Sequence, residues 1–287
     1  MSQSLADSLP GKGGSGLRVW LKASAYTRRL LLGEGGDPWQ GAPQYLAYFS
    51  QAQGLLRPDV AVVEVGELFD SWLLRHPEVR AEMGAKRRLS FPLRKLLEQD
   101  EPRRLLAEVV EAVIANLRGQ TPLVLAMPSP KHWLYHANLL AGRSDIELDP
   151  DGIEDAAMYM ADLLRSVSSS PVGGVLLEEH PDDAAMGETE LERYRPLINV
   201  AHHYRWSLAL RPQGAAVAAS PVLAEFDAVL SAAIAAPQPV STGVDVSPLL
   251  WSGAALPALG KAQFYFVEIP ETQRPEFVLE SLARLRA

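Results

Sequence analysis

The sequence predicts one α/β domain folded as a closed barrel of eight parallel strands, each followed by a helix, that is, a (β/α)8 barrel. Short apolar runs recur along the chain, and longer stretches with helical spacing of apolar residues separate them. The strand-like runs are apolar throughout, which is typical of a parallel sheet covered on both faces. The length of 287 residues suits one such barrel, which takes about 250 residues. The alternative is an open doubly wound sheet, although no glycine-rich dinucleotide fingerprint follows any strand.

The first half of the chain predicts three strands and four helices. The strands are expected at 18–22, 59–65 and 122–127, and the helices at 43–56, 67–74, 101–118 and 131–140. The helix at 101–118 has the clearest signals, because Pro102 lies in its first turn and Gly119 follows its end.

The second half completes the predicted barrel. Clear strands are expected at 174–178, 206–210 and 264–269, with less regular ones at 215–219 and 240–246. The helices are expected at 151–167, 190–204, 222–235 and 275–286. Residues 1–16 are polar and glycine-rich, so we predict a flexible N-terminal tail followed by a single barrel domain at 17–287.

Composition and charge exclude several classes of function. The net charge is −8 and the Lys/Arg clusters are short, which argues against a nucleic-acid partner. The absence of cysteine excludes disulfides, thiolate nucleophiles and Cys-ligated zinc, and it fits a reducing compartment. Without an apolar membrane span or a signal peptide, the chain is predicted to be cytoplasmic, with no membrane partner. No cofactor is favoured, and a homodimer is left open.

Active sites of (β/α) barrels lie at the C-terminal ends of the strands, and this rule selects candidate residues. Glu64 and Glu268 interrupt strands that are otherwise apolar, and an unpaired buried charge is costly. Each is therefore a functional acid, a member of a structural ion pair, or a rim side chain that faces solvent. The polar residues at or near the predicted strand ends are Lys22, Glu64, Glu178, His180, Arg211, Asp245 and Glu268.

Two clusters beside these ends have the chemistry of a small-molecule enzyme. Glu178, Glu179 and His180 directly follow an apolar strand, and adjacent carboxylates with a histidine suit general acid/base catalysis. The alternative is an acidic rim loop. Arg28 and Arg29 follow the first strand and could bind a carboxylate with their forked donors, or could pair with nearby surface acids.

His132 and His136 are the only pair that suggests a metal. They are four residues apart, so a helix would place them on one face, where a carboxylate could complete a site. The HExxH pattern is absent because Trp133 stands where the glutamate would be. The alternative is a helix start that packs Trp133 and Tyr135, and we expect no tightly bound transition metal.

Val19-Trp20-Leu21-Lys22, followed by Arg28 and Arg29, resembles the first-strand motif of uroporphyrinogen decarboxylases. The chain is therefore identified as a divergent member of the barrel superfamily that unites uroporphyrinogen decarboxylase and cobalamin-independent methionine synthase. The resemblance implies that Arg28 or Arg29 binds a substrate carboxylate. It assigns the family's catalytic aspartate to no position here, and without cysteine the zinc site of the methionine synthases cannot be present in its usual form.

Together these features predict an enzyme of lyase or transferase type, similar to a decarboxylase or methyltransferase, that acts on a small carboxylated molecule. Glu178 and His180, with Glu64 and Glu268, are the predicted catalytic residues. The predicted substrate-binding residues are Lys22, Arg28, Arg29 and Arg211. The alternatives are a divalent-metal lyase or hydrolase using His132 and His136, and a non-catalytic barrel that binds a ligand or a protein.

Overall fold

A computed structural model of the chain describes residues 4–10, 16–180, 188–212, 221–231 and 240–286. Eight strands form one sheet. Their bounds are β1 Val19–Lys22, β2 Ala61–Glu64, β3 Leu123–Pro128, β4 Gly174–Glu178, β5 Ser207–Arg211, β6 Ala228–Ser231, β7 Ser241–Asp245 and β8 Gln263–Glu268.

All paired strands are parallel, and the sheet curls into a nearly closed barrel in the order β1-β8-β7-β6-β5-β4-β3-β2. Strands β1 and β2 stand at the two ends of this order and share no ladder of hydrogen bonds. At the top of this seam, Lys22 Nζ of β1 lies 3.5 Å from Glu64 Oε1 of β2. The predicted (β/α)8 barrel is confirmed, and the open doubly wound sheet is not what forms.

The helices surround the barrel and connect its strands. They are α1 Ser24–Leu32, α2 Ala42–Leu56, α3 Val65–Arg75, α4 Pro77–Met83, α5 Ser90–Leu97, α6 Asp100–Leu117, α7 Pro130–Leu140, α8 Pro150–Arg165, α9 Glu188–Glu192, α10 Arg195–Tyr204, α11 Ser247–Trp251 and α12 Pro275–Arg286. A 3₁₀ helix spans Val222–Glu225. None of the helices in these ranges is long and apolar enough to cross a bilayer.

Alternate residues of each strand point into the barrel, because side chains of a strand alternate between its two faces. The interior is filled by large aromatic side chains, with Trp20 6.3 Å from Phe264 between ring centroids. Gly243 of β7 faces this packing. A Cβ there would lie 2.4 Å from Leu230 and 2.8 Å from Phe264, so only glycine leaves room for these neighbours.

Three predicted elements differ from the structure. The predicted helix at 222–235 is wrong over its described part, where the 3₁₀ helix is followed by strand β6. Pairing with β5 and β7 on both sides overrides the helical propensity of this alanine-rich segment. The predicted helix at 190–204 is two helices, α9 and α10, and the segment after β1, where no helix was predicted, contains α1. The predicted strand at 215–219 lies outside the described residues.

Residues 4–10 fell within the predicted flexible tail, and the structure places them against the N-terminal end of the barrel. Leu5 and Leu9 are fully buried in the same apolar cluster as Trp20. The Leu5 N–H donates to the Gly173 carbonyl at 3.1 Å, and Ser241 Oγ donates to the Pro10 carbonyl at 2.6 Å. The expectation of a flexible tail is therefore wrong for residues 4–10, because Leu5 and Leu9 are buried against the barrel.

Candidate active site at the barrel mouth

Among the residues that the structure describes, six charged side chains from six strands meet at the C-terminal mouth of the barrel. Each belongs to the inward-facing set of its strand, so parallel strands bring all six to one opening. They are Lys22, Glu64, Glu178, Arg211, Asp245 and Glu268. Five of them were predicted as site residues from the sequence, and Asp245 was noted there only as a strand-end residue.

Lys22 is the cation on the side of β1. Its Nζ lies 2.5 Å from Glu178 Oε2, 3.5 Å from Glu64 Oε1 and 4.0 Å from Glu268 Oε1. Burial alone would lower the pKa of Lys22, but the three carboxylates outweigh burial and raise its pKa above the ordinary range. Lys22 is therefore a protonated ammonium at neutral pH, which excludes it as a free amine nucleophile.

Arg211 is the second cation and joins three of the acids. Its guanidinium donates to Glu178 Oε1 at 3.0 Å and to Asp245 Oδ2 at 3.2 Å, and it lies 2.7 Å from Glu268 Oε2. The same group lies 4.6 Å above the centre of the Phe266 ring, a cation–π contact that holds it in place. The residue is buried, so these contacts fix its position firmly.

The pKa values of Glu178 and Glu64 are shifted in opposite directions. Burial raises the pKa of Glu178, but Lys22 and Arg211 outweigh burial and lower its pKa, so it stays ionised. Burial raises the pKa of Glu64 to about 7, because Lys22 only partly offsets the burial and the neighbouring charges of Glu178 and Glu67 add to it. Glu64 therefore changes protonation state near neutral pH.

The carboxyl group of Glu64 contacts other side chains through only one of its two oxygens among the described residues. Ser24 Oγ donates to Oε1 at 2.9 Å, and Lys22 approaches the same oxygen. Oε2 has no hydrogen-bond partner among the residues the structure describes. It is not one of the fully buried side-chain atoms that lack a partner. The residue as a whole is only 8% exposed, and it lines a cavity.

Glu64 lines a cavity of about 190 Å³ between the ends of β2 and β3, which we call the inner chamber. Its polar wall is acidic and carries two histidines, and its opposite wall is apolar. Its lining residues are Glu64, Gly66, Glu67, Asp70, Ala126, Met127, Pro128, His132, His136 and Glu178. Gly66 allows α3 to approach this wall, because a Cβ there would lie 2.9 Å from Pro128 Cδ.

Two of the three predicted histidines, His132 and His136, line this chamber, and His180 contacts the ring of His132. His132 Nδ1 is 3.2 Å from the Glu178 carbonyl, and its ring is 5.0 Å from that of His180 in an edge-to-face contact. His136 Nε2 is 3.1 Å from Asp70 Oδ1, and this hydrogen bond raises the pKa of His136. Among the described residues, no group of three or more His, Asp or Glu side chains is arranged to hold a metal ion.

Arg28 and Arg29 lie outside the ion cluster, on α1. They line a larger cavity of about 430 Å³, the outer chamber, which shares Glu67 and Asp70 with the inner one. Arg28 Nη1 is 2.7 Å from Glu67 Oε2, and Arg29 pairs with Glu34 at 3.1 Å, whose side chain is 84% exposed. The two chambers therefore adjoin at Glu67 and Asp70, and the arginines line the outer one.

The residue after Glu178 has a structural role on the other face of β4. The Glu179 side chain is buried outside the barrel, where it accepts hydrogen bonds from Ser129 Oγ and Tyr194 OH, both at 2.6 Å. The two adjacent glutamates point to opposite faces because a strand alternates. Only Glu178 of this pair belongs to the mouth.

The sequence interpretation missed Ser24, Glu67 and Asp70. Ser24 begins α1, a helix that was not predicted from the sequence. Glu64, Glu67 and Asp70 are three residues apart, a spacing that places side chains on one helix face. That signal was available, but it required knowing that β2 passes into α3 without an intervening loop.

No protein-family model matches the chain, and no curated protein matches it.

Proposed function

We propose that the chain is an enzyme that transfers protons to or from a small molecule at the barrel mouth, with Glu64 as the proton carrier. One residue carries the proposal: Glu64 lines the inner chamber at the barrel mouth, and its burial raises its pKa to about 7. A general acid or base works best when its pKa lies near the operating pH. Strongly shifted pKa values in clefts are typical of catalytic sites.

The other members of the cluster support this role. Glu178 stays ionised between Lys22 and Arg211, so these three form a fixed arrangement of charge beside the reacting group. Such charges, already oriented before reaction, stabilise developing charge without reorganisation. The sequence interpretation gave proton transfer to Glu178 and His180. In our proposal Glu64 takes that role, Glu178 fixes its electrostatic surroundings, and His180 remains a candidate next to His132.

The substrate we propose is the small carboxylated molecule predicted from the sequence, with a lyase or transferase reaction of decarboxylase or methyltransferase type. Arg29 supports this because its present partner, Glu34, is a largely exposed side chain that an incoming carboxylate could replace. Lys22 and Arg211 are less suited, since both already contact several carboxylates. On the first-strand residues and these arginines, we propose a divergent relative of the uroporphyrinogen decarboxylase superfamily.

The test starts from a thermal-shift screen of small carboxylates, including tetrapyrrole precursors. A stabilising compound should lose its effect in Arg29→Ala, and native protein but not Glu64→Gln should convert it, as followed by mass spectrometry. Glu108→Gln, the same change on the exposed face of α6, is the matched control and should behave like native protein. Saturable binding without conversion would instead favour the non-catalytic barrel. Full turnover by Glu64→Gln would contradict our assignment of the proton carrier.

A further inference from the structure

We propose that Ser24 is a positioning residue of the barrel mouth, whose hydroxyl group holds one oxygen of the Glu64 carboxyl so that Glu64 exchanges its proton through the other. The inference deepens the proposed function and rests on it for the view that Glu64 reacts with a substrate. The hydrogen bond and its effect on Glu64 are properties of the folded chain and require no substrate.

Two side chains approach the same oxygen of Glu64. Ser24 Oγ donates to Oε1 at 2.9 Å, and Lys22 Nζ lies 3.5 Å from that oxygen. Lys22 makes its shortest contact with Glu178, at 2.5 Å, so Ser24 is the closer partner of Glu64. An oxygen that accepts a hydrogen bond from a hydroxyl group and faces an ammonium group is a poor position for a further proton. A proton on Glu64 is therefore carried by Oε2.

The Ser24 hydroxyl group is not used to stabilise its own helix. A serine at the start of a helix usually accepts a hydrogen bond from a backbone N–H of the first turn, as Ser129 does at the start of α7. Helix α1 has Ala23 at the capping position and no side-chain cap, and Ser24 follows as the first helical residue. Its hydroxyl group donates to Glu64 instead. The start of α1 thus lacks the stabilisation of a cap, which favours a role for Ser24 at the mouth.

Ser24 also lies at the seam between β1 and β2, the two described strands that end the order of the sheet and share no ladder. Side chains therefore set where Glu64 of β2 lies relative to β1 and α1. Helix α2 supports Ser24 from behind: Tyr48 OH donates to the Ser24 carbonyl at 3.0 Å, and Thr27 Oγ1 lies 2.8 Å from Tyr48 OH. Because Thr27 and Tyr48 are both buried, these contacts fix the first turn of α1.

The hydroxyl group also favours the ionised form of Glu64, because it donates to the carboxylate. Burial raises the pKa of Glu64 to about 7, and the hydrogen bond from Ser24 is one of the contacts that keep it from rising further. Removing this hydroxyl group removes none of the charges around Glu64. The other charged or titratable groups that face Glu64 or its chamber are Lys22 of β1, Tyr45 and Tyr48 of α2, Glu67 and Asp70 of α3, His132 and His136 of α7, and Glu178 of β4.

The experiment measures the pKa of Glu64 by carbon-13 NMR in variants of the full chain. In Ser24→Ala the pKa of Glu64 should rise from about 7 to about 8, since a hydrogen bond to a charged group is lost. Ser24→Thr keeps a hydroxyl group at this position and should restore the native pKa. Ser168→Ala is the matched control, because it removes an exposed hydroxyl group that donates to the Arg165 carbonyl, and it should have no effect.

Tyr48→Phe tests the support of Ser24 separately. It removes the hydroxyl group that holds the Ser24 carbonyl and keeps both Ser24 and Glu64. The pKa of Glu64 should therefore rise, but by less than in Ser24→Ala. Circular dichroism shows whether each variant is folded, and Tyr48→Phe decides the question if Ser24→Ala does not fold.

A Glu64 pKa in folded Ser24→Ala equal to the native value would overturn the inference. A rise of the same size in Ser24→Thr would do so too, because the hydroxyl group would then not be the cause. If Ser24→Ala does not fold, an unchanged pKa in Tyr48→Phe would overturn it.

The two proposals fail separately. Once a substrate is known, the part of the pH–rate profile governed by Glu64 should move to higher pH in Ser24→Ala. A raised Glu64 pKa in this variant, with no turnover by native protein, would contradict only the proposed function. Turnover that depends on Glu64, with an unchanged Glu64 pKa in Ser24→Ala, would contradict only this inference.

Discussion

The two ends of the barrel are built from the same strands and differ in almost every physical property. At the mouth, the inward positions hold charged residues such as Lys22 and Glu178, around an open cleft. Two residues earlier on the same strands stand Trp20 and Leu176, which are fully buried among apolar neighbours. Residues 4–10 seal the opposite end.

The same strands therefore stabilise the fold at one end of the barrel and carry the candidate site at the other. A buried charge cluster is a poor source of stability, since apolar residues of similar volume often serve as well or better. The sealed end is a source of stability, because it buries apolar area without unpaired charge. The mouth therefore has a composition that folding alone does not require, and this favours a chemical role for it.

The largest expected effect comes from removing a cation at the mouth. Arg211→Met would leave Glu178, Asp245 and Glu268 close together with Lys22 as the remaining cation, and it should lower the free energy of unfolding by about 3–5 kcal/mol. Urea denaturation at pH 7 measures this. Arg104→Met, which removes an exposed cation on α6, should change little. A loss for Arg211→Met as small as that of the control would mean that the cluster is hydrated and flexible.

The next effect belongs to the sealed end. Leu9→Ala should lower the free energy of unfolding by about 3 kcal/mol, because it opens a cavity beside fully buried side chains. Ligand binding at the mouth should stay unchanged. Leu279→Ala, at an exposed position of α12, is the control. If Leu9→Ala were no more destabilising than this control, residues 4–10 would not seal the barrel, and the tail predicted from the sequence would be the better description.

A smaller effect should appear in the pH dependence of stability. The pKa of Glu64 is higher in the folded chain than the ordinary 4.5, so its contribution to stability is fully present below pH 4.5 and is lost as the pH rises through about 7. Glu64→Gln cannot ionise and escapes this loss. It should match native protein near pH 5 and exceed it at pH 8 by on the order of 1–3 kcal/mol. Parallel stability curves for the two proteins between pH 5 and pH 8 would contradict the raised pKa.

The smallest effect on folding is expected at the outer chamber. Arg29 forms an exposed ion pair with Glu34, so Arg29→Ala should change the free energy of unfolding by no more than about 0.5 kcal/mol. The same variant should weaken binding of the carboxylate found by screening, measured by calorimetry. Unchanged binding would remove Arg29 from the proposed site.

The fold and most of the mouth could be predicted from the sequence because both depend on local patterns. Apolar runs mark the strands, and the rule for strand ends then selects Glu64, Glu178 and Arg211 without further information. Strand β6 could not be found in this way, since its alanine-rich sequence favours a helix and only pairing with β5 and β7 makes it a strand. The same limit applies to Leu5 and Leu9, which look unremarkable in a polar segment until the barrel end is known.

The separate roles of the mouth residues could not be predicted from the sequence either. Glu64 and Glu178 have the same chemistry and equivalent strand positions. Only the three-dimensional arrangement shows that Glu178 lies between two cations while Glu64 shares one of them. The assignment of the proton carrier depends on this difference.

The most direct test of the account is therefore the titration of the Glu64 carboxyl group itself, in the full chain, by carbon-13 NMR with Glu64→Gln to assign its signal. We predict that Glu64 titrates with a pKa of about 7, above the ordinary range of glutamate. A pKa between about 4 and 5, the ordinary range of glutamate, would contradict its role as the proton carrier at the barrel mouth.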